Sequence, residues 1–212
     1  MPREVYQCKK CNATHHSVLT DTGLVVCRNC GAIIFSKIDG SDLPEPGTVP
    51  PDWSFVQLGT TGEYNGNPFT VAGRVRLQLR NDYKNFWSCA FANGKMMWMM
   101  ESFASFSMLT PEWLRFDSDV RYLHAAELIA LPGGTNITGD YVEKCEGISC
   151  EGEIGDWRLF SSGFFFIQAS NMKGETAVFT VKIGDGIEYL TGQTLEWQKL
   201  NLKNILEWDE WK

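Results

Sequence analysis

The chain has no apolar run near the roughly 18 residues that a membrane-spanning helix needs. The closest stretch, MMWMMESFASFSML, is interrupted by Glu101 and by several serines. The first residues, MPREVYQ, lack the apolar core of a secretory signal peptide. We therefore expect no transmembrane segment and a cytoplasmic location, with peripheral membrane association left open. Stable disulfides are rare in that reducing compartment, so closely spaced cysteines must have another use.

Positive charge is also scarce. Nineteen Lys and Arg residues face 26 Asp and Glu residues, which gives a formal net charge of −7. Residues 1–40 hold five cationic and three acidic residues, so the remainder of the chain is strongly acidic. A nucleic-acid backbone requires several clustered cations, which this chain does not supply. Nucleic-acid binding through the N-terminal region is therefore only a minor alternative.

Known catalytic signatures are missing as well. The sequence contains no phosphate-binding glycine loop, no G-x-S-x-G elbow and no H-E-x-x-H motif. The only histidine after residue 16 is His124. Three cysteines, Cys89, Cys145 and Cys150, therefore lack an evident base, and a nucleophilic cysteine needs one. We expect no enzymatic activity.

An enzyme or a small-ligand binder with a pocket inside a curved sheet remains the alternative. Glu151 and Glu153 are two residues apart and share one face of a strand if that segment is extended. With Glu101, they are the candidate polar groups for such a pocket. Paired carboxylates can perform acid–base chemistry, but a solvated strand face has the same pattern.

The strongest positive signal is the stretch CKKCNATHHSVLTDTGLVVCRNCG, residues 8–31. It contains two C-x-x-C pairs with fifteen residues between them, a spacing typical of a tetrahedral zinc site. The predicted ligands are Cys8, Cys11, Cys27 and Cys30. Four thiolates fill the coordination shell of one zinc ion and leave no open position, so the predicted role is structural. Iron also fits four thiolates, and His15 and His16 are interpreted as turn residues.

The residues around the cysteines predict a zinc ribbon over residues 1–37. The position after the second cysteine of each pair requires positive φ, which Gly31 adopts readily and Asn12 tolerates. SVLTDTGLVV between the pairs reads as strand, turn and strand. A module this small has little core, so the metal is expected to supply much of its folding free energy.

The remaining chain is predicted to be mostly β. Residues 38–52 hold four prolines and two glycines, which indicates a linker. In residues 53–212, alternating apolar positions surround hairpin signals at Asn93-Gly94 and at residues 171–174. Only residues 117–131 lean towards a helix. The expected fold is an antiparallel β barrel or sandwich.

A weak internal repeat suggests two related β subunits. LGTTGEYNGNPFTV and LPGGTNITGDYVEKC each place a glycine-rich turn before an aromatic-then-valine strand start. A hairpin follows each segment.

Residues 54–203 resemble the domain-of-unknown-function family 4178. The resemblance rests on turn glycines, core aromatics and one Glu-Gly-Glu motif: Leu58, Gly59, Gly66, Phe69, Val71, Gly73, Arg74, Trp87, Gly94, Trp98, Glu151, Gly152, Glu153, Leu190 and Gly192. The chain departs from the family pattern at Met99, where leucine is usual, and at Cys89, where an acidic residue is usual. It also lacks the proline expected after Glu-Gly-Glu and has Gly155-Asp156 instead.

The family is bacterial, has no established activity, and often carries an N-terminal zinc ribbon. Its genes lie beside those for envelope-stress, membrane-associated and polyamine-related proteins, which implies an accessory role. The sequence and the resemblance together predict a non-enzymatic, zinc-binding accessory protein. Its β body is expected to bind an unidentified protein partner, with the inner face of a membrane as one setting. The apolar ribbon residues Val18, Leu19, Ile33, Ile34 and Phe35 are available for docking onto such a partner or onto the chain's own body.

Overall fold

The computed structural model describes residues 4–37, 48–102, 105–110, 114–115, 125–155, 164–182 and 186–207. Residues 38–47 of the predicted linker and 117–124 of the helix-leaning segment lie outside the described residues. The described end of the helix-leaning segment contains a strand, Leu128–Ala130. In the described part of the chain, no helix is long and apolar enough to cross a membrane.

The described residues form fifteen strands and a single-turn 3₁₀ helix, Trp197–Leu200. The strands are β1 (Val5–Gln7), β2 (Thr14–His16), β3 (Leu24–Val26), β4 (Ile33–Ser36), β5 (Thr61–Tyr64), β6 (Asn67–Leu79), β7 (Tyr83–Phe91), β8 (Met96–Ser102), β9 (Ser105–Leu109), β10 (Leu114–Arg115), β11 (Leu128–Ala130), β12 (Asn136–Ile154), β13 (Phe164–Ser170), β14 (Glu175–Lys182) and β15 (Gly186–Leu195).

Eight of these strands close an antiparallel barrel. Their order around the barrel is β6, β7, β8, β9, β15, β14, β13 and β12, and β12 pairs back with β6 to complete the circle. The predicted mostly-β class, with a barrel and an N-terminal cysteine-bearing module, is therefore confirmed.

The barrel consists of two four-stranded meanders. Strands β6–β9 form the first meander and β12–β15 the second. The first strands of the two meanders, β6 and β12, pair with each other, and so do the last strands, β9 and β15. Each meander is preceded by a short strand, β5 on β6 and β11 on β12. The two sequence segments that suggested a repeat lie at these two entry hairpins.

Turn chemistry explains the hairpins. Asn65 and Gly66 both have positive φ, 50° and 73°, as a two-residue type I′ turn requires. Gly94 (φ 82°) and Gly174 (φ 77°) close the β7–β8 and β13–β14 hairpins at the predicted positions. A side chain would be strained at these left-handed positions.

The barrel buries apolar side chains on both of its faces. One interior cluster draws on all eight strands: Val75, Phe86, Trp98, Leu109, Cys150, Phe166, Val178 and Leu190 are among its members. A second cluster covers the outer face of β6–β9 beneath Val56 and Leu200. A third covers the outer face of β12–β15 beneath Ile129 of β11. This two-sided burial explains why β6 is buried at every position from Val71 to Leu77 and β7 at every position from Lys84 to Phe91.

Candidate metal centre and its seat on the barrel

The four predicted ligands converge at one point. The Sγ atoms of Cys8, Cys11, Cys27 and Cys30 all lie within 4.8 Å of one another. Cys8 Sγ is 3.6 Å from Cys30 Sγ, and Cys11 Sγ is 3.5 Å from Cys27 Sγ. All four are free thiols.

These distances fit a metal ion bound by four sulfurs. Zinc–thiolate bonds of about 2.3 Å in a tetrahedron place neighbouring sulfurs roughly 3.8 Å apart, close to the separations found here. Neither His15 nor His16 joins the group. Both lie on strand β2, which pairs with β1, so their interpretation as turn residues is wrong. The arrangement indicates a metal site with an all-sulfur donor set.

Each cysteine pair forms the same local turn. The Asn12 N–H donates to the Cys8 carbonyl (2.8 Å), and the Cys8 N–H donates to the Ala13 carbonyl (2.9 Å). In the second pair, the Gly31 N–H donates to the Cys27 carbonyl (2.9 Å), and the Cys27 N–H to the Ala32 carbonyl (2.8 Å). Asn12 has φ 58° and Gly31 has φ 66°, so the predicted left-handed positions are confirmed.

The thiols share their protons unequally. A backbone hydrogen bond from Ala13, with further bonds from Asn29 and the neighbouring thiols, lowers the pKa of Cys11 to about 6. At Cys30, a backbone bond from Ala32 lowers the pKa, but burial and the three neighbouring sulfurs outweigh it and raise the value to about 12. Four thiolates in one place repel one another unless a cation neutralises them, and metal binding would release the protons that remain on the cysteines.

The ribbon is joined to the barrel by backbone pairing. Strand β3 pairs with the last three residues of β12, Gly152–Ile154, on the edge opposite β6. Leu24 and Val26 of β3 belong to the interior cluster of the barrel. The sheet of the ribbon's second hairpin, β3–β4, is thus continuous with the barrel.

Glu153 of β12 binds the loop that connects the two hairpins of the ribbon, residues 17–22, to the barrel. Its side chain is buried, at 3% exposure. The carboxylate accepts hydrogen bonds from Val18 N (2.9 Å), Leu19 N (3.1 Å) and Ser17 Oγ (2.9 Å). Thr22 Oγ1 lies at 3.4 Å. A buried carboxylate is tolerated when donors surround it in this way, so these hydrogen bonds account for the burial of Glu153 and hold the ribbon on the barrel.

Apolar contacts also hold the ribbon on the barrel. Leu19 is 8% exposed and packs with Ala72 and Ala90 of the barrel, against Val18 and Met96. Of the two predicted roles for the ribbon's apolar residues, packing on its own body is confirmed for Val18 and Leu19.

The other two candidate carboxylates belong to a second buried network, on the outer face of the barrel. Glu151 accepts a hydrogen bond from Arg74 Nε at 2.7 Å. Arg74 and Arg76 both pair with Asp52, whose side chain is only 6% exposed. Asn85 Nδ2 links Asp52 (2.8 Å) to Glu101 (3.1 Å).

Glu101 accepts three hydrogen bonds through one carboxylate oxygen. Its Oε2 accepts from Ser54 Oγ (2.7 Å), Asn85 Nδ2 and Trp87 Nε1 (both 3.1 Å). Burial raises the pKa of Glu101 above its ordinary value, although these three donors oppose the shift. The network holds residues 50–54 against β6, β7 and β8, so its role is structural.

The remaining cysteines are buried thiols whose pKa values are raised. Burial raises the pKa of Cys145 to about 11 and that of Cys150 to about 12, and it raises the pKa of Cys89 further still. All three are buried and carry free thiols, and a protonated thiol is a poor nucleophile. His124 lies outside the described residues.

Sequence reasoning missed the partners of these carboxylates. Arg74 and Arg76 alternate with valine and leucine in GRVRLQL, a pattern that marks them as facing away from the barrel interior. Nothing local in the sequence indicates that Asp52 would neutralise both arginines, or that Glu153 would meet residues 17–22.

Comparison of the chain with protein-family models, with curated proteins and with solved structures gives no match. The resemblance to family 4178 therefore stays a prediction, and function must be argued from the site.

Proposed function

We propose that this chain is a zinc-binding accessory protein without catalytic activity, which works in the cytoplasm by binding a protein partner. The observation that carries the proposal is the cluster of four cysteine sulfurs within 4.8 Å of one another. Four protein thiolates complete zinc's preferred coordination, so no position remains for water or substrate. Zinc in this site stabilises the ribbon, and through β3 and Glu153 it stabilises the ribbon's seat on the barrel.

The described carboxylates support a non-catalytic role. Glu101, Glu151 and Glu153 accept hydrogen bonds from buried or half-buried protein donors, whereas acid–base catalysis requires groups that can reach a substrate. The interior cluster of large apolar side chains favours a packed barrel over a ligand cavity. Both observations favour the accessory role over the alternative of an enzyme or a small-ligand binder.

Metal analysis is the first experiment. Protein purified under reducing conditions should contain about one equivalent of zinc, as a single closed four-cysteine site requires. Cys8→Ser combined with Cys27→Ser should lose it, since both ligand pairs are then broken. Cys89→Ser, a buried cysteine outside the site, is the matched control and should keep the zinc. One equivalent of iron would assign a different metal, and neither metal would remove the basis of the proposal.

The partner is tested by comparing intact zinc-loaded protein with the Cys8→Ser, Cys27→Ser variant as bait in a cross-linking pull-down. A stoichiometric protein partner held by the zinc-loaded bait and lost by the variant supports the proposal. Turnover of a metabolite by the zinc-loaded protein, or a small molecule that co-purifies with it, would support the enzyme or ligand-binding alternative.

A further inference from the structure

A groove of about 1040 Å³ separates the ribbon from the rim of the barrel. The ribbon contributes Glu4 and residues 18–20 to it. The opposite side consists of residues 61–63 of β5 and residues 201–203. Because the ribbon supplies one wall, the groove exists only when the ribbon is seated on the barrel.

One wall of the groove is an incompletely paired strand edge. Thr61 exchanges both of its backbone hydrogen bonds with Lys203 (3.0 and 2.8 Å) on the edge of β5 that faces away from β6. Antiparallel pairing alternates along a strand, so the N–H and C=O of Glu63 point to that same edge. On the β6 side, Glu63 lies opposite Pro68 in a pair that exchanges no backbone hydrogen bonds. Among the described residues, no backbone group bonds to Glu63 at its outer edge.

The charges around the groove narrow the choice of occupant. Glu4 and Glu63 are exposed carboxylates, and Lys203 is the one cation among the lining residues that the structure describes. Pairing of two copies of this chain at Glu63 would bring two like charges together, which is unfavourable across a strand pair. Nucleic-acid phosphates would meet the same repulsion. An extended segment with a cationic side chain satisfies both the backbone groups and the carboxylates.

We propose that this groove binds an extended, lysine- or arginine-bearing segment of a protein partner. The segment hydrogen-bonds to the free N–H and C=O of Glu63, next to the Thr61–Lys203 pair, and places a cationic side chain against the Glu63 carboxylate. This inference rests on the proposed function, since it names the partner's chemistry and the surface that receives it. It also explains why a ribbon should be fixed on the barrel at all: the fixed ribbon forms the second wall.

The probe is a pair of fluorescent heptapeptides, Thr-Val-Lys-Val-Lys-Val-Thr and Thr-Val-Glu-Val-Glu-Val-Thr, titrated by anisotropy into the zinc-loaded full chain. The lysine peptide should bind at low ionic strength and the glutamate peptide should not. Glu63→Lys should weaken the lysine peptide about three- to tenfold, because it replaces attraction across the strand pair with repulsion. It should also improve binding of the glutamate peptide.

Two further variants separate the groove from general electrostatics. Glu146→Lys makes the same charge change at an exposed position outside the groove and should leave binding nearly unchanged. Ala92→Trp fills the groove at an exposed lining residue without changing charge, and should weaken the lysine peptide. Amide chemical-shift changes on binding should centre on residues 61–63.

Several results would overturn the proposal. The first is equal binding of the two peptides. The second is no binding of the lysine peptide at about 1 mM, a concentration that corresponds to roughly 4 kcal/mol of binding free energy. The third is an equal effect of Glu63→Lys and Glu146→Lys on binding. Self-association of the wild type that Glu63→Lys alters would assign the edge to a second copy instead. If the cellular partner is captured equally by wild type and by Glu63→Lys, the proposed function stands and the groove is not its site.

Discussion

At the scale of single residues, buried carboxylates hold distant segments of the chain together by accepting hydrogen bonds. Glu153 lies more than 130 residues from the ribbon atoms that it binds, and it is the acceptor for two of their backbone N–H groups. Asp52 and Glu101 play the same part for residues 50–54. In each case donors surround the carboxylate, because a buried charge without them would be strongly destabilising.

Removing the Glu153 carboxylate should loosen the ribbon. Glu153→Ala leaves the N–H groups of Val18 and Leu19 without acceptors, and we expect a loss of about 2–3 kcal/mol in unfolding free energy. Glu153→Gln keeps one acceptor oxygen and should cost less. Urea denaturation of the zinc-loaded protein measures both, with the exposed Glu146→Ala as control. A loss no larger than that of the control would contradict this role.

Glu101 should make stability depend on pH. Because burial raises its pKa in the folded protein, its contribution is fully present below the unfolded value of about 4.3 and is lost as pH rises through the folded value. Glu101→Gln keeps an acceptor oxygen and carries no charge. The variant should match the wild type in acid and become relatively more stable towards neutral pH.

Denaturation of wild type and variant in parallel, at saturating zinc and at each pH, isolates this effect. The exposed Glu146→Gln should show a flat difference from the wild type over the same range. A flat difference for Glu101→Gln as well would show that burial does not control this carboxyl group.

At the scale of elements, the backbones of β6 and β12 approach each other closely where the two strands pair. A Cβ on Gly73 would lie 2.2 Å from the carbonyl oxygen of Glu153. Gly152, its pairing partner, has φ 75°. These two glycines let the closing strands of the barrel approach closely and let β12 turn from β6 towards β3.

Gly73→Ala should therefore be severely destabilising, by about 2–3 kcal/mol, since the clash is with backbone that cannot move away. Gly147→Ala tests an ordinary glycine of the same ladder, where the nearest atom is Gln78 Cβ at 3.7 Å. It should stay within about 1 kcal/mol of the wild type. Thermal unfolding of both variants tests this prediction. Equal midpoint temperatures would contradict the close approach of the β6 and β12 backbones.

The hairpins could be predicted from the sequence because their determinants are local. Gly94 and Gly174 specify turns through their own φ angles, and alternating apolar positions mark the strands on either side. Closure of the barrel depends on the pairing of β9 with β15 and of β6 with β12, strands separated by more than 50 residues. No turn signal reports such pairs, so the sequence left barrel and sandwich undecided.

At the scale of the whole molecule, the metal site and the barrel form one sheet system. Strand β3 belongs to the ribbon, pairs with β12, and places Leu24 and Val26 in the barrel's interior cluster. The metal-bound ribbon should therefore stabilise the adjoining rim of the barrel, and loss of the metal should destabilise that rim.

Metal removal should open the rim before the rest of the barrel. After chelation, amide hydrogen exchange at residues 152–154 and in β3 should accelerate about tenfold or more, as local unfolding of a cooperative unit predicts. Strand β14, which does not pair with β3 or β4, should keep its protection. Faster exchange confined to residues 4–37 would show that ribbon and barrel are independent.

The sequence by itself determined which four cysteines come together, the turns that present them and the β class of the body. The cysteine turns depend on hydrogen bonds and dihedral angles within a few residues of Cys8, Cys27, Asn12 and Gly31, and the β class depends on local alternation of apolar residues and on turn glycines. The tertiary structure decided what Glu153 binds, why Asp52 is tolerated between two arginines, and that a groove lies between ribbon and barrel. Those outcomes depend on which distant backbone and charged groups meet when the sheet closes, and a linear pattern carries no record of that geometry.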